Sequence, residues 1–188
     1  MRDGFARLLR MHGQHEEAIQ HYRELIRIAP DDARAYMDMA TAFRSSARLP
    51  EAIAAYGQAF QLEPSRKDVS NINREYGFAL VENGDEGRAV ELFTAQAQGS
   101  ETKANGLGSL AILDLLRGRC SSARSRFQEV LALDRRAHSP LGEARTHFML
   151  ATLAQTMGDA RERIRQLDAA HALLKDVGPK VAYGSLIE

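Results

Sequence analysis

The feature that most constrains this chain is a repeat. Ala18, Tyr22 and Pro30 recur 34 residues later as Ala52, Tyr56 and Pro64. The interval lengthens once, to 37 residues, for Ala89 and Phe93, and returns to 34 for Ala123 and Phe127. Gly13, Gly84, Gly118 and Gly158 keep the same rhythm, with Ala47 in that place in the second unit. A period of this length marks a copied supersecondary unit, and the copies must stack to bury a core that none could bury alone.

Each recurring position has a physical reason. A small Ala on the second helix of a unit lets that helix approach the first closely. An aromatic four residues on lies on the same face and fills the space between helices. Gly between the two helices accepts the left-handed backbone that ends the first. Pro stops the second helix, and Asp31, Asp32 or Ser65 is placed to cap the next one. The pattern predicts helices over 3–12, 15–29, 32–46, 49–62, 68–83, 86–98, 103–117, 120–134, 140–157 and 160–175.

Residues 33–64, ARAYMDMATAFRSSARLPEAIAAYGQAFQLEP, form the fullest unit, with Tyr36, Ala40, Phe43, Ala52, Tyr56, Ala59 and Pro64 in place. On these residues the sequence resembles the tetratricopeptide repeat (TPR) family, over about residues 5–175. The resemblance implies an all-α, right-handed superhelical solenoid of about five helix-turn-helix hairpins. The units fall near 1–32 (truncated), 33–66, 70–103, 104–137 and 144–177, with a tail at 176–188. Some positions depart from the family pattern. Asp114 stands where an apolar residue is usual, with Arg117 the expected partner for its carboxylate, and Arg163 replaces the small Ala of the last unit. A longer connection through His138, Ser139 and Pro140 precedes that unit.

The remaining residues give little sign of catalysis, and the chain reads as a non-enzyme without cofactor or metal. His15 and His21 lie six residues apart, and Ile19 takes the second histidine's place in what would otherwise be a zinc motif. Cys120 is the single cysteine and has no histidine in the neighbouring sequence to activate it. GLGSLA at 106–111 mimics a dinucleotide fingerprint without the strand that such a motif follows. The 25 basic residues balance 25 acidic ones, so a nucleic-acid partner is not expected. The arginines of 117–136 read as a solvated helix face. No apolar run approaches ~18 residues, so a membrane partner is not expected either, and a cytoplasmic bacterial protein is the default.

In the family, the first helix of each hairpin lines a concave, peptide-binding groove. Carried over residue by residue, the resemblance places Arg34, Met37, Asp38, Thr41 and Arg44 there from the second unit. The third unit contributes Asn71, Arg74 and Phe78, the fourth Asn105 and Ile112, and the fifth Arg145, Phe148 and Met149. Met37 and Thr41 occupy positions where the family's carboxylate clamp carries other residues, so that clamp is not reproduced. The reading is an adaptor for a protein or peptide segment, acidic at one end and apolar at the other. The alternatives are a regulatory module of a larger signalling enzyme or a small-ligand sensor. Self-association through open solenoid ends is a further expectation.

Overall fold

The computed structural model describes residues 2–62 and 66–177, with side chains at 4–62 and 71–175. It divides into two compact units, Met1–Ala95 and Gln96–Glu188. Pro64, Ser65 and the tail beyond Val177 lie outside the described residues.

The first unit is built from α1 (Arg2–Met11), α2 (His15–Ile28), α3 (Ala33–Ser45), α4 (Leu49–Gln61), α5 (Arg66–Glu82) and α6 (Glu86–Gln98), with the unit boundary inside α6. The second holds α7 (Lys103–Leu116), α8 (Cys120–Arg136), α9 (Pro140–Thr156) and α10 (Ala160–Val177). Among the described residues every regular element is helical. The expected boundaries hold to within two residues at each helix end.

The turns explain this agreement. Gly13, Gly84, Gly118 and Gly158 adopt φ between +70° and +85°, and Ala47 takes the same left-handed conformation at +60°. Each turn is closed by an amide that reaches back five residues. Gln14 donates to the Leu9 carbonyl, Arg48 to Phe43, Asp85 to Leu80, Arg119 to Asp114 and Asp159 to Ala154, all at 2.8–2.9 Å. This is the Schellman closure, which satisfies carbonyls that a helix end would otherwise leave bare. The connection between α8 and α9 uses it too, with His138 at φ +50° and Ser139 donating to Asp134. Asp32 caps α3 by accepting from the amides of Arg34 at 3.0 Å and Ala35 at 3.3 Å.

The recurring residues form the cores. Ala18, Ala52, Ala89 and Ala123 are fully buried, as are Tyr22, Tyr56 and Phe93, with Phe127 nearly so. A matching column of small residues runs through the first helices: Ala6, Ala40, Gly77, Ala111 and Ala151. At Gly77 the approach is closest, because a Cβ there would overlap the Phe93 ring. Arg163 is solvent-exposed on α10, whereas Ala170 on the same helix is buried.

Buried carboxylates are answered by arginines. In the first unit Asp38 of α3 pairs with Arg7 of α1 at 3.3 Å. In the second unit Asp114 is paired with Arg119 at 2.6 Å and also with Arg126. The partner expected from sequence, Arg117, is not among these two. The turn after α7 carries the residue following Gly118 back over the Asp114 side chain, and α8 brings Arg126 alongside.

Candidate functional site

In the first unit the expected groove residues split by role. Arg34 is exposed beside the N-cap of α3, and Asn71 is exposed on α5. Met37 is half-buried and packs against the core. The Thr41 hydroxyl bonds to the Met37 carbonyl at 2.9 Å and lies 3.1 Å from the Tyr56 hydroxyl. Burial pushes the Tyr56 phenol above its ordinary pKa, with the Thr41 contact acting in the opposite direction. The phenol is therefore neutral and serves packing.

Charge in this region is largely compensated. Arg44 of α3 bridges to Glu75 at 2.7 Å and Glu82 at 2.5 Å, both on α5. The hydrogen bond to Glu82 raises the Arg44 pKa above its usual value, against the cost of its partial burial. Glu75 also accepts from Arg74 at 3.1 Å. Asp38 is buried and committed to Arg7. Phe78 packs with Phe93, their ring centroids 5.3 Å apart. The Arg7–Asp38 pair ties α1 to α3, and the Arg44 pairs with Glu75 and Glu82 tie α3 to α5, so these groups already serve the stacking of hairpins.

The second unit holds a cavity of about 920 Å³. Its walls come from the start of α7, the end of α8, the first half of α9 and the end of α10. Of the residues expected from sequence, Asn105 and Phe148 line it, together with Arg145 and Met149. Ile112 does not. It packs against the core that contains Ala111, Phe127 and Leu150. Second helices add Leu133, Ala170 and Leu174 to the lining, and Ala137 joins from just past the end of α8. A groove assigned from first helices alone omits them.

Small and aliphatic side chains make the floor, while Phe148 stands 51% exposed. A large aromatic left half in water beside an apolar cavity is an anchor point for a ligand. Asp134 supplies a buried polar group on the wall. Its carboxylate accepts from the Thr146 hydroxyl at 3.0 Å and lies so close to α9 that only glycine fits at Gly142. Burial raises the Asp134 pKa, opposed by Thr146 and by the nearby Arg145. Lys103, on the α7 side, is paired with Glu129 at 2.8 Å.

The other motifs take structural places. Cys120 opens α8 and packs half-buried against the core of the second unit. Gly106 is buried on α7, and beside Gly108 lies open space that a Cβ would enter without contact. His21 lies edge-on to Phe5 at 5.1 Å. Among the described residues no three histidine, cysteine or acidic side chains converge as metal ligands, and no helix is long and apolar enough to cross a membrane.

Paired helices, left-handed glycine turns and small-residue seams define a helical-hairpin repeat protein. The family model described as TPR repeat matches residues 6–45. Solved structures share the fold over nearly the whole chain. TPR-like repeats of a Podosopora anserina protein named for kinesin light chain are 18% identical, with a TM-score of 0.63 and 94% of each chain covered. MamA from Desulfovibrio magneticus RS-1 is 15% identical at a TM-score of 0.58, covering 93% of this chain and 94% of that one. YrrB, described as a TPR protein with an unusual peptide-binding site, is 17% identical at a TM-score of 0.54, covering 93% and 86%. No curated protein matches the sequence. The repeat signature and the fold of this chain are therefore both similar to those of tetratricopeptide-repeat proteins.

Proposed function

We propose that this chain is a non-catalytic interaction scaffold that holds a segment of another protein in the cavity of its second unit. The observation that carries the reading is the half-exposed Phe148 beside an apolar cavity of about 920 Å³. That volume lies within the usual ~300–1,000 Å³ of ligand sites, and it admits several side chains of a bound segment. Support comes from YrrB, a protein of the same fold whose description includes a peptide-binding site. In this reading the α3 and α5 residues, among them Arg34, Asn71 and Arg74, form a separate polar surface for a partner.

Ala137→Trp tests the cavity directly. Ala137 is exposed at the end of α8 and lines the cavity, so the indole fills the space without entering a core. In pull-downs from the source organism, a partner retained by wild type and lost with Ala137→Trp supports the reading. A partner retained equally by both proteins removes the cavity from the account. Unchanged helical circular dichroism is the control for folding.

A second reading rests on α1, where Phe5, Leu8 and Met11 are 51%, 50% and 66% exposed. An apolar helix face of this kind suits association with another polypeptide, including a second copy of this chain. Concentration-dependent sedimentation lost on Leu8→Glu supports self-association, and a monomer at all concentrations opposes it.

A further inference from the structure

The charges around the cavity are unevenly satisfied. Lys103 is neutralised by Glu129 at 2.8 Å, and Arg135 is neutralised by Glu143 at 3.3 Å. At the rim, Glu101 and Asn105 each already have an interaction partner. Asp134 is buried, bonded to Thr146, and held toward its neutral form by burial. Arg145 differs. It is exposed on the cavity wall, feels Asp134 only through space, and forms no ion pair among the described residues.

Helical spacing sets what this cation is next to. Phe148 and Met149 follow Arg145 by three and four residues on α9, so all three share a face, about one turn apart. A ligand on that face meets a guanidinium first and an aromatic and a thioether about 5 Å further along the axis. Guanidinium pairs with carboxylate through two parallel hydrogen bonds, which fixes orientation as well as charge.

We infer that the cavity recognises a protein segment in which an acidic residue stands next to bulky apolar ones, the carboxylate on Arg145 and the apolar side chains against Phe148 and Met149. This specificity rests on the reading of the cavity as a protein-binding site. It places the acid-recognising arginine on α9, whereas Arg44 and Arg74 are occupied by Glu75 and Glu82.

Titration calorimetry on the full chain separates the two readings. The probes are a synthetic peptide of leucine and phenylalanine flanked by glutamates, and its twin with lysines in place of the glutamates. The glutamate peptide is expected to bind, and Arg145→Gln to weaken it about tenfold or more, as loss of one charge-assisted contact does. The lysine twin is expected to bind at least about tenfold more weakly than the glutamate peptide. Equal binding of both peptides, abolished by Ala137→Trp but untouched by Arg145→Gln, overturns the acidic specificity and leaves the cavity as a binding site. Binding of neither peptide overturns both. Arg145 is exposed, so its substitution does not threaten the fold.

Discussion

Asp114 and Arg119 form an ion pair at 2.6 Å at the two repeat positions that Phe43 and Arg48 occupy in the first unit. There the Arg48 guanidinium lies 4.7 Å from the centre of the Phe43 ring. In both places an arginine at the start of the second helix folds over the residue five positions earlier. Only the partner changes, from an aromatic face to a carboxylate.

This equivalence predicts the response to substitution. Asp114→Ala removes a buried carboxylate and strands two arginines, but these are 45% and 36% exposed and are able to turn to water. The expected cost is about 1–3 kcal/mol, below the full penalty for breaking a fully buried pair. Asp114→Leu restores the apolar character seen at Phe43 and Leu80 and is expected to cost less than the alanine. Urea denaturation of the two variants provides the ranking.

Gly77→Ala tests the seam of small residues. On an isolated helix this change stabilises by up to ~1 kcal/mol. Here the added methyl would overlap the ring of Phe93, which is fully buried. Overpacking of this sort costs ~1–3 kcal/mol, so packing outweighs propensity and the variant is expected to be less stable. A thermal melt at or above the wild-type midpoint would show that the two helices separate more freely.

Ala47→Gly has the opposite sign. Ala47 holds φ +60° at a turn where the other hairpins use glycine. Relief of that strain outweighs the entropy a glycine adds to the unfolded chain, and a gain of about 0.5–1 kcal/mol is expected in urea melts.

Asp134 makes the second unit sensitive to pH. Burial raises its folded pKa above the unfolded value, so the folded state holds the proton more tightly. The stability this proton brings is complete below the ordinary aspartate range, near ~pH 3.9, and is lost as pH rises through the raised folded value. Asp134→Asn keeps an acceptor for Thr146 and removes the titration. Plotted against pH, the wild type is expected to fall progressively below the variant in melting temperature over that window. Parallel curves would remove Asp134 from the pH response. Thr146, Arg145 and Glu143 are the neighbours that set its pKa, and Arg145→Gln is expected to deepen the effect.

Most of the fold was legible because its rules are local. A glycine four residues past the last core position of a helix fixes the turn, and alanine and aromatic columns fix which faces meet. Partners across helices were less legible. Asp38 finds Arg7 from the preceding hairpin, 31 residues away, and no pattern within one repeat points there. For Asp114, spacing along a single helix suggested Arg117, but the Schellman turn reverses the chain and delivers Arg119. The candidate site was half legible. Asn105, Arg145, Phe148 and Met149 follow from repeat register, whereas Leu133, Ala137, Ala170 and Leu174 come from the far ends of second helices, which a groove read from first helices leaves out.

The most direct test of the central claim places a photo-crosslinking phenylalanine analogue at position 148 in the full chain, with a control at Ser121, exposed at the start of α8. Irradiation in cells of the source organism is expected to trap one protein from position 148, in yield reduced by Ala137→Trp, and not from position 121. Equal trapping from both positions, or trapping at 148 indifferent to Ala137→Trp, would contradict a cavity that holds a partner segment.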